Sequence, residues 1–199
     1  MKDAAGRVDG ERHDDLFLFI GGNWIEAGQR DASAILNPAT GEVLGRVPLA
    51  TDADLEDALA MAERTLPVWS RMPPHERATI LKRTADLIRE RAGHIEWLMT
   101  SEAGKPLAEA RYEVAAAANY FEWFAEQGKR TYGRVVPARR SEVQQLVKRQ
   151  PIEPVAAFTP WNFPAITPAR KLAAALGAGY VSSTPCKTAW PRRTAFPTA

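Results

Sequence analysis

With 199 residues, 45% of them aliphatic, aromatic or sulfur-bearing and 25% charged, the chain has ordinary globular composition and is long enough for one sizeable core. A net charge of +2 is too small to imply a nucleic-acid or strongly acidic partner, and no apolar run approaches the ~18 residues of a membrane span. The single cysteine excludes an internal disulfide and a cysteine-rich metal site; together with a polar, leaderless start it points to a reducing, cytoplasmic setting.

Residues 1–15 are polar and are expected to form a disordered tail. Leu16 to Ile20 read as a strand running into a turn at Gly21-Gly22-Asn23-Trp24. A second turn, Asn37-Pro38-Ala39-Thr40-Gly41-Glu42, hands the chain to a returning strand over Val43 to Val47. Thr51 with Asp54 three residues on is a capping-box pattern, and Leu55, Leu59, Ala62 and Leu66 predict one buried face for the helix that follows. Pro73-Pro74 opens a second helix with Ala78, Leu81, Ala85 and Ile88 inward. Ile95, Leu98 and Met99 belong to a third, stopped by Gly104. Pro106 opens a fourth, on which Val114, Ala117, Ala118, Phe121 and Ala125 recur at helical spacing until Gly128. Trp97, Phe121, Trp123 and Phe124 are expected in the core. Tyr132 to Val136 and Val143 to Gln150 read as a hairpin around the polar turn Arg139-Arg140-Ser141. There are no repeats and no low-complexity segments.

The stretch from Glu153 to Gly179 carries the chemistry. Val155 to Phe158 is a short uncharged run, expected as a buried strand. Thr159-Pro160-Trp161-Asn162-Phe163-Pro164 interrupts it, Pro164 or Pro168 suits the first turn of a helix, and Gly177-Ala178-Gly179 reads as that helix's carboxyl cap rather than a phosphate loop. Strand, tight loop and helix open a nucleotide-binding α/β unit, and polar residues at the carboxyl end of such a strand lie where ligands bind. Glu102, His13, His75 and His94 do not recur at catalytic or metal-ligand spacing and are read as surface or capping groups; no metal site is expected.

This stretch closely resembles the aldehyde dehydrogenase superfamily, which has a strand ending in a Pro-Trp-Asn-Phe-Pro loop followed by Arg-Lys. Ile20-Gly21-Gly22-Asn23-Trp24 and Asn37-Pro38-Ala39-Thr40-Gly41-Glu42 resemble its amino-terminal strands, and Gly104 to Ala110 looks like its succinate-semialdehyde branch. The resemblance implies an α/β fold: amino-terminal strands and helices over 16–130, an oligomerisation hairpin at 131–150 and the first strand-loop-helix of a Rossmann-like sheet at 151–179. It also implies an NAD- or NADP-dependent oxidation of a small aldehyde in a homo-oligomer, with neither nucleic acid nor membrane as partner. In the family a cysteine thiolate attacks the carbonyl, hydride leaves to the nicotinamide, and a glutamate-activated water releases the acid.

Residue by residue, Asn162 matches the side-chain amide that donates to the oxyanion, a task suited to a donor that does not titrate. The residues alone leave open that Asn162 only satisfies loop backbone groups. Thr159, Pro160 and Trp161 match positions beside the nicotinamide-ribose half of the cofactor. Lys171 matches the lysine that supports the site, with a surface lysine as the plainer reading. Arg170 matches an arginine that grips the substrate carboxylate in the semialdehyde branch, where a guanidinium fork fits two-point geometry; a solvated helix arginine is the alternative.

The resemblance runs from about Phe17 to Gly179. Residues 180–199 are expected to be an aberrant tail, read as the product of a shifted or truncated frame, where the family continues with a β-branched strand and a Lys-Pro-Ala/Ser-Glu segment. The family's catalytic cysteine and glutamate are expected beyond this chain; Cys186, early and outside the cysteine motif, is not read as the nucleophile. The expectation is therefore an amino-terminal dehydrogenase portion that is inactive alone, with a non-catalytic fragment pairing with a full-length homologue as the alternative.

Overall fold

The structure, a computed structural model, describes residues 16–183. The expected α/β class holds: among these residues there are five helices and four two-stranded sheets, with four strands first, then four helices, then three strands, a helix and a last strand. The expectations for residues 1–15, for His13 and for Cys186 lie outside the described residues.

Two hairpins come first. β1 (Leu18–Ile20) and β2 (Asn23–Ile25) are antiparallel and joined by Gly21-Gly22, both with positive φ, as a two-residue hairpin turn demands. β3 (Ala32–Leu36) pairs with β4 (Val43–Pro48) around the Asn37 turn, where Asn37 Oδ1 accepts from the Ala39 amide at 2.9 Å and Gly41 takes φ 74°.

α1 (Asp52–Arg71) starts at a complete capping box: Thr51 Oγ1 accepts from the Asp54 amide, and the Asp54 carboxylate accepts from the Thr51 amide at 2.8 Å. Its expected apolar face is not buried. Leu55 and Leu59 are exposed and Ala62 and Leu66 only half-buried; among the described residues α1 meets chiefly β1 and the strand Ser182–Ser183 rather than the helical core.

The core lies between α2 (Pro74–Glu90), α4 (Leu107–Gly128) and α5 (Ile166–Ala178), with α3 (Ala92–Ala103) closing one end. Ala78, Leu81, Ala85 and Ile88 of α2 meet Val114, Ala117, Ala118, Phe121 and Ala125 of α4, as their spacing predicts. Ile95, Leu98 and Met99 are the buried residues of α3, which ends at Gly104 in the left-handed region, φ 66°. Of the aromatic residues expected inside, Phe121 is buried and Phe124 packs against the core. Trp97 is half-buried and stacked with His94, and Trp123 is 62% exposed on the outer face of α4.

Small residues let α4 and α5 approach closely. A Cβ on Gly128 would lie 2.5 Å from the carbonyl oxygen of Gly177, and one on Gly177 2.8 Å from that of Phe124. Gly128 and Gly177 thus serve helix contact; the carboxyl cap of α5 is Gly179 alone, at φ 96°.

The hairpin β5 (Arg134–Val136) and β6 (Gln145–Val147) is antiparallel and shorter than expected. Tyr132, Val135 and Leu146 are open to solvent at 70%, 76% and 60%.

β7 (Val155–Ala156), α5 and β8 (Ser182–Ser183) form a β-α-β unit with parallel strands. Two expectations change here. The expected strand to Phe158 stops at Ala156, and Phe158 is 69% exposed, because a single neighbouring strand covers so little of it. Tyr180 to Ser183, expected in the aberrant tail, belongs to the fold. The Val155 amide donates to Val181 O and the Ala157 amide to Ser183 O, both at 2.8 Å, and Val181 is buried. None of the helices is long and apolar enough to cross a membrane, among the described residues.

Candidate active-site loop and its anchors

The loop from Phe158 to Ala165 leaves the carboxyl end of β7 and turns into α5. Pro164 and Ala165 are buried, and Pro168 sits in the first turn of α5, where its missing N–H costs nothing. Between them the loop presents its middle outward. Pro160, Trp161 (79%), Asn162 and Phe163 are exposed and Thr159 is half-buried.

A buried ion pair holds this loop, and sequence reading missed it. Glu113, 1% exposed on α4, accepts from the amides of Ala165 (2.8 Å) and Ile166 (3.0 Å) through one carboxylate oxygen. α5 has no side-chain cap of its own, so Glu113 supplies one from another helix, and its charge faces the positive end of the α5 dipole. The other Glu113 oxygen pairs with Lys105 Nζ. That ammonium also donates to Asn162 O at 3.0 Å and lies 4.2 Å above the Phe163 ring. One charge pair therefore fastens the loop at Asn162, Phe163, Ala165 and Ile166. The signal for it was a carboxylate on an otherwise apolar stripe, one helical turn before Ala117.

The far end of α5 is held in the same manner. Trp69 Nε1 donates to Leu176 O at 3.1 Å, and the guanidinium of Arg77, 5% exposed, reaches toward Gly177 O at 3.5 Å and donates to Met72 O. Burial lowers the Arg77 pKa from its ordinary value, while the carbonyl end of the helix offsets part of the cost of its charge.

The expected site residues fall into two groups. Thr159, Pro160, Trp161 and Asn162 are consecutive on the exposed loop, and Lys171 joins them: its ammonium donates to Phe158 O, at the root of the loop. The Asn162 backbone is tied through its carbonyl to Lys105, while its exposed side-chain amide makes no hydrogen bond among the described residues. Arg170 stands apart, exposed, its guanidinium carbon 5.6 Å from the ring centre of Tyr120 on α4. A cavity of about 380 Å³ adjoins the anchor, lined by Lys105, Ala108, Tyr112, Glu113, Phe163 and Ile166.

The exposed amide and aromatic thus stand at the carboxyl end of the first strand of a parallel β-α-β unit, where open α/β sheets bind ligands. Residues 24–182 match the model of the aldehyde dehydrogenase family, and the chain belongs to that family. It is 44% identical over 161 residues to the glutarate-semialdehyde dehydrogenase of Pseudomonas putida, a match that covers 81% of this chain and 34% of that protein. To the succinate-semialdehyde dehydrogenase [NADP(+)] of Escherichia coli it is 44% identical over 160 residues, 80% of this chain and 33% of that one. The solved succinate-semialdehyde dehydrogenase from Burkholderia pseudomallei superposes with a TM-score of 0.82 at 38% identity, over 92% of this chain and 37% of the other. The chain thus spans about a third of the length of these relatives.

Proposed function

We propose that this chain is the amino-terminal portion of an NAD- or NADP-dependent aldehyde dehydrogenase that converts a semialdehyde, succinate semialdehyde or one closely like it, to the carboxylate. The observation that carries the reading is the exposed Asn162 amide at the carboxyl end of β7, on a loop fastened by buried charges. It is supported by similarity to succinate- and glutarate-semialdehyde dehydrogenases. Asn162 is the proposed oxyanion donor. Its amide is not committed to another group of the described chain, so it is free to serve a developing negative charge. Thr159, Pro160 and Trp161 are the proposed contacts to the cofactor. The exposure of Pro160 and Trp161 at a strand end, with Thr159 half-buried beside them, fits a nicotinamide-ribose, and the bound cofactor would supply hydride acceptance. Lys171 holds the loop root through Phe158 O. Arg170, exposed and resting against the Tyr120 ring, is the proposed grip on the substrate carboxylate.

The chain alone is proposed not to turn over. Its one cysteine, Cys186, lies beyond the residues that match the family, so no nucleophile is assigned within them. The test is a graft. Residues 16–183 replace the matching third of the Pseudomonas putida glutarate-semialdehyde dehydrogenase, and NAD(P)H formation from succinate or glutarate semialdehyde is followed beside the 199-residue chain. Turnover by the graft and none by the chain supports the reading. A folded but inactive graft, or turnover by the chain itself, overturns it. A second reading, a non-catalytic fragment that pairs with a full-length homologue, draws on the exposed apolar hairpin at Val135 and Leu146 and would show as co-purification with that homologue.

A further inference from the structure

We infer that the Lys105–Glu113 ion pair is a positioning device that sets the aim of the Asn162 amide; this rests on the proposed role of Asn162. Three observations converge. First, the pair is buried, with side-chain exposures of 9% and 2%, yet a buried ion pair is weak as a stabiliser, so stability alone does not explain its place in an otherwise apolar stripe. Second, every further bond it makes goes to the loop or the first turn of α5. Lys105 donates to Asn162 O and covers Phe163, while Glu113 takes the Ala165 and Ile166 amides. Third, the attachment at Asn162 is through its carbonyl, which fixes the backbone of that residue and leaves the side-chain amide unspent. A donor must be aimed before charge develops, and a tether on that residue's own carbonyl, with Phe163, Ala165 and Ile166 after it fastened to the same pair, accomplishes that. Lys105 and Glu113 act through Asn162 and are positioning residues.

The test uses the full 199-residue chain and reads the loop directly. K105M removes the tether to Asn162 O; K105M/E113L removes both charges and the acceptor of the Ala165 and Ile166 amides together, avoiding the unpaired buried charge that a single change leaves. Amide hydrogen exchange at Ala165 and Ile166 is expected to accelerate on the order of ten- to a hundredfold in K105M/E113L, while exchange at Ala118 in the α4 core stays within about twofold. The side-chain amide resonances of Asn162 are expected to shift in K105M and to return in K105R. Unchanged exchange at Ala165 and Ile166, or Asn162 resonances that do not move, overturns the inference. So does an equal acceleration at Ala118, since the pair would then hold the core and not the loop. Neither readout needs aldehyde turnover, so failure here and failure of the proposed activity are told apart.

Discussion

The closest backbone approach in the core makes a sharp prediction. Gly128→Ala places a methyl 2.5 Å from the carbonyl oxygen of Gly177, about 0.9 Å short of ordinary 3.4 Å contact, and the obstructing atom is backbone that cannot rotate away. α4 and α5 must separate there, loosening the packing of Ala125 and Ala173 as well. Overpacking of this kind costs about 1–3 kcal/mol, and the better helix propensity of alanine returns at most about 1. The net expectation is a loss of about 1–2 kcal/mol, read as a urea midpoint lowered by roughly 0.5–1 M. Gly93→Ala is the matched control. The same methyl on α3 meets nothing within 4 Å, so the propensity term acts alone and stability should rise by about 0.5–1 kcal/mol. Equal effects of the two substitutions, or a stabilising Gly128→Ala, would refute the reasoning, because only the methyl at Gly128 meets backbone.

Three further outcomes are expected. Asp54 is held well below the usual carboxylate range, first by the Arg30 guanidinium at 2.5 Å and then by the Thr51 amide and hydroxyl. A depressed folded-state pKa stabilises above the unfolded value of about 3.9 and is lost as pH falls below it; D54N should flatten the acid limb of a stability-against-pH curve, and an unaltered limb would remove Asp54 from the account. In the grafted enzyme, N162A should lower kcat on the order of 10²–10³-fold with little change in KM, whereas R170A should raise KM for a semialdehyde more than for an uncharged aldehyde. Val135→Lys with Leu146→Lys should reduce any self-association of the chain in sedimentation experiments; an unchanged mass would show that the hairpin is not the contact.

Much of this arrangement was legible in the residues. The periodic faces of α2 and α4 were visible because each finds its partner within the chain, and Gly104 and Gly179 announced helix ends that only a left-handed residue completes. Periodicity misled at α1. Leu55 and Leu59 form an apolar stripe, but a stripe predicts burial only when another surface lies against it. Trp123 fell to the same error, since size alone does not say which side of a helix a residue occupies. The motif residues from Thr159 to Asn162 were found by resemblance, and the structure adds how they are held. Lys105 and Glu113 could not be paired from spacing. They are eight residues apart, Lys105 ahead of α4 and Glu113 within it, so the helical i, i+4 rule does not join them. The second strand at Ser182–Ser183 was hidden by its brevity and by prolines shortly after it.

The capping of α5 has a consequence for the order in which the molecule assembles. A helix of 13 residues is marginal by itself in water, and this one draws its amino-terminal cap from α4 and contacts to its last carbonyls from Trp69 and Arg77. The α2–α4 pair can collapse on its own apolar faces, but α5 gains its order by docking onto them. The loop bearing Asn162 therefore takes its final shape late, after the framework that holds it exists. Lesions in α2 or α4 far from Asn162 would then reach the loop through a helix that failed to seat.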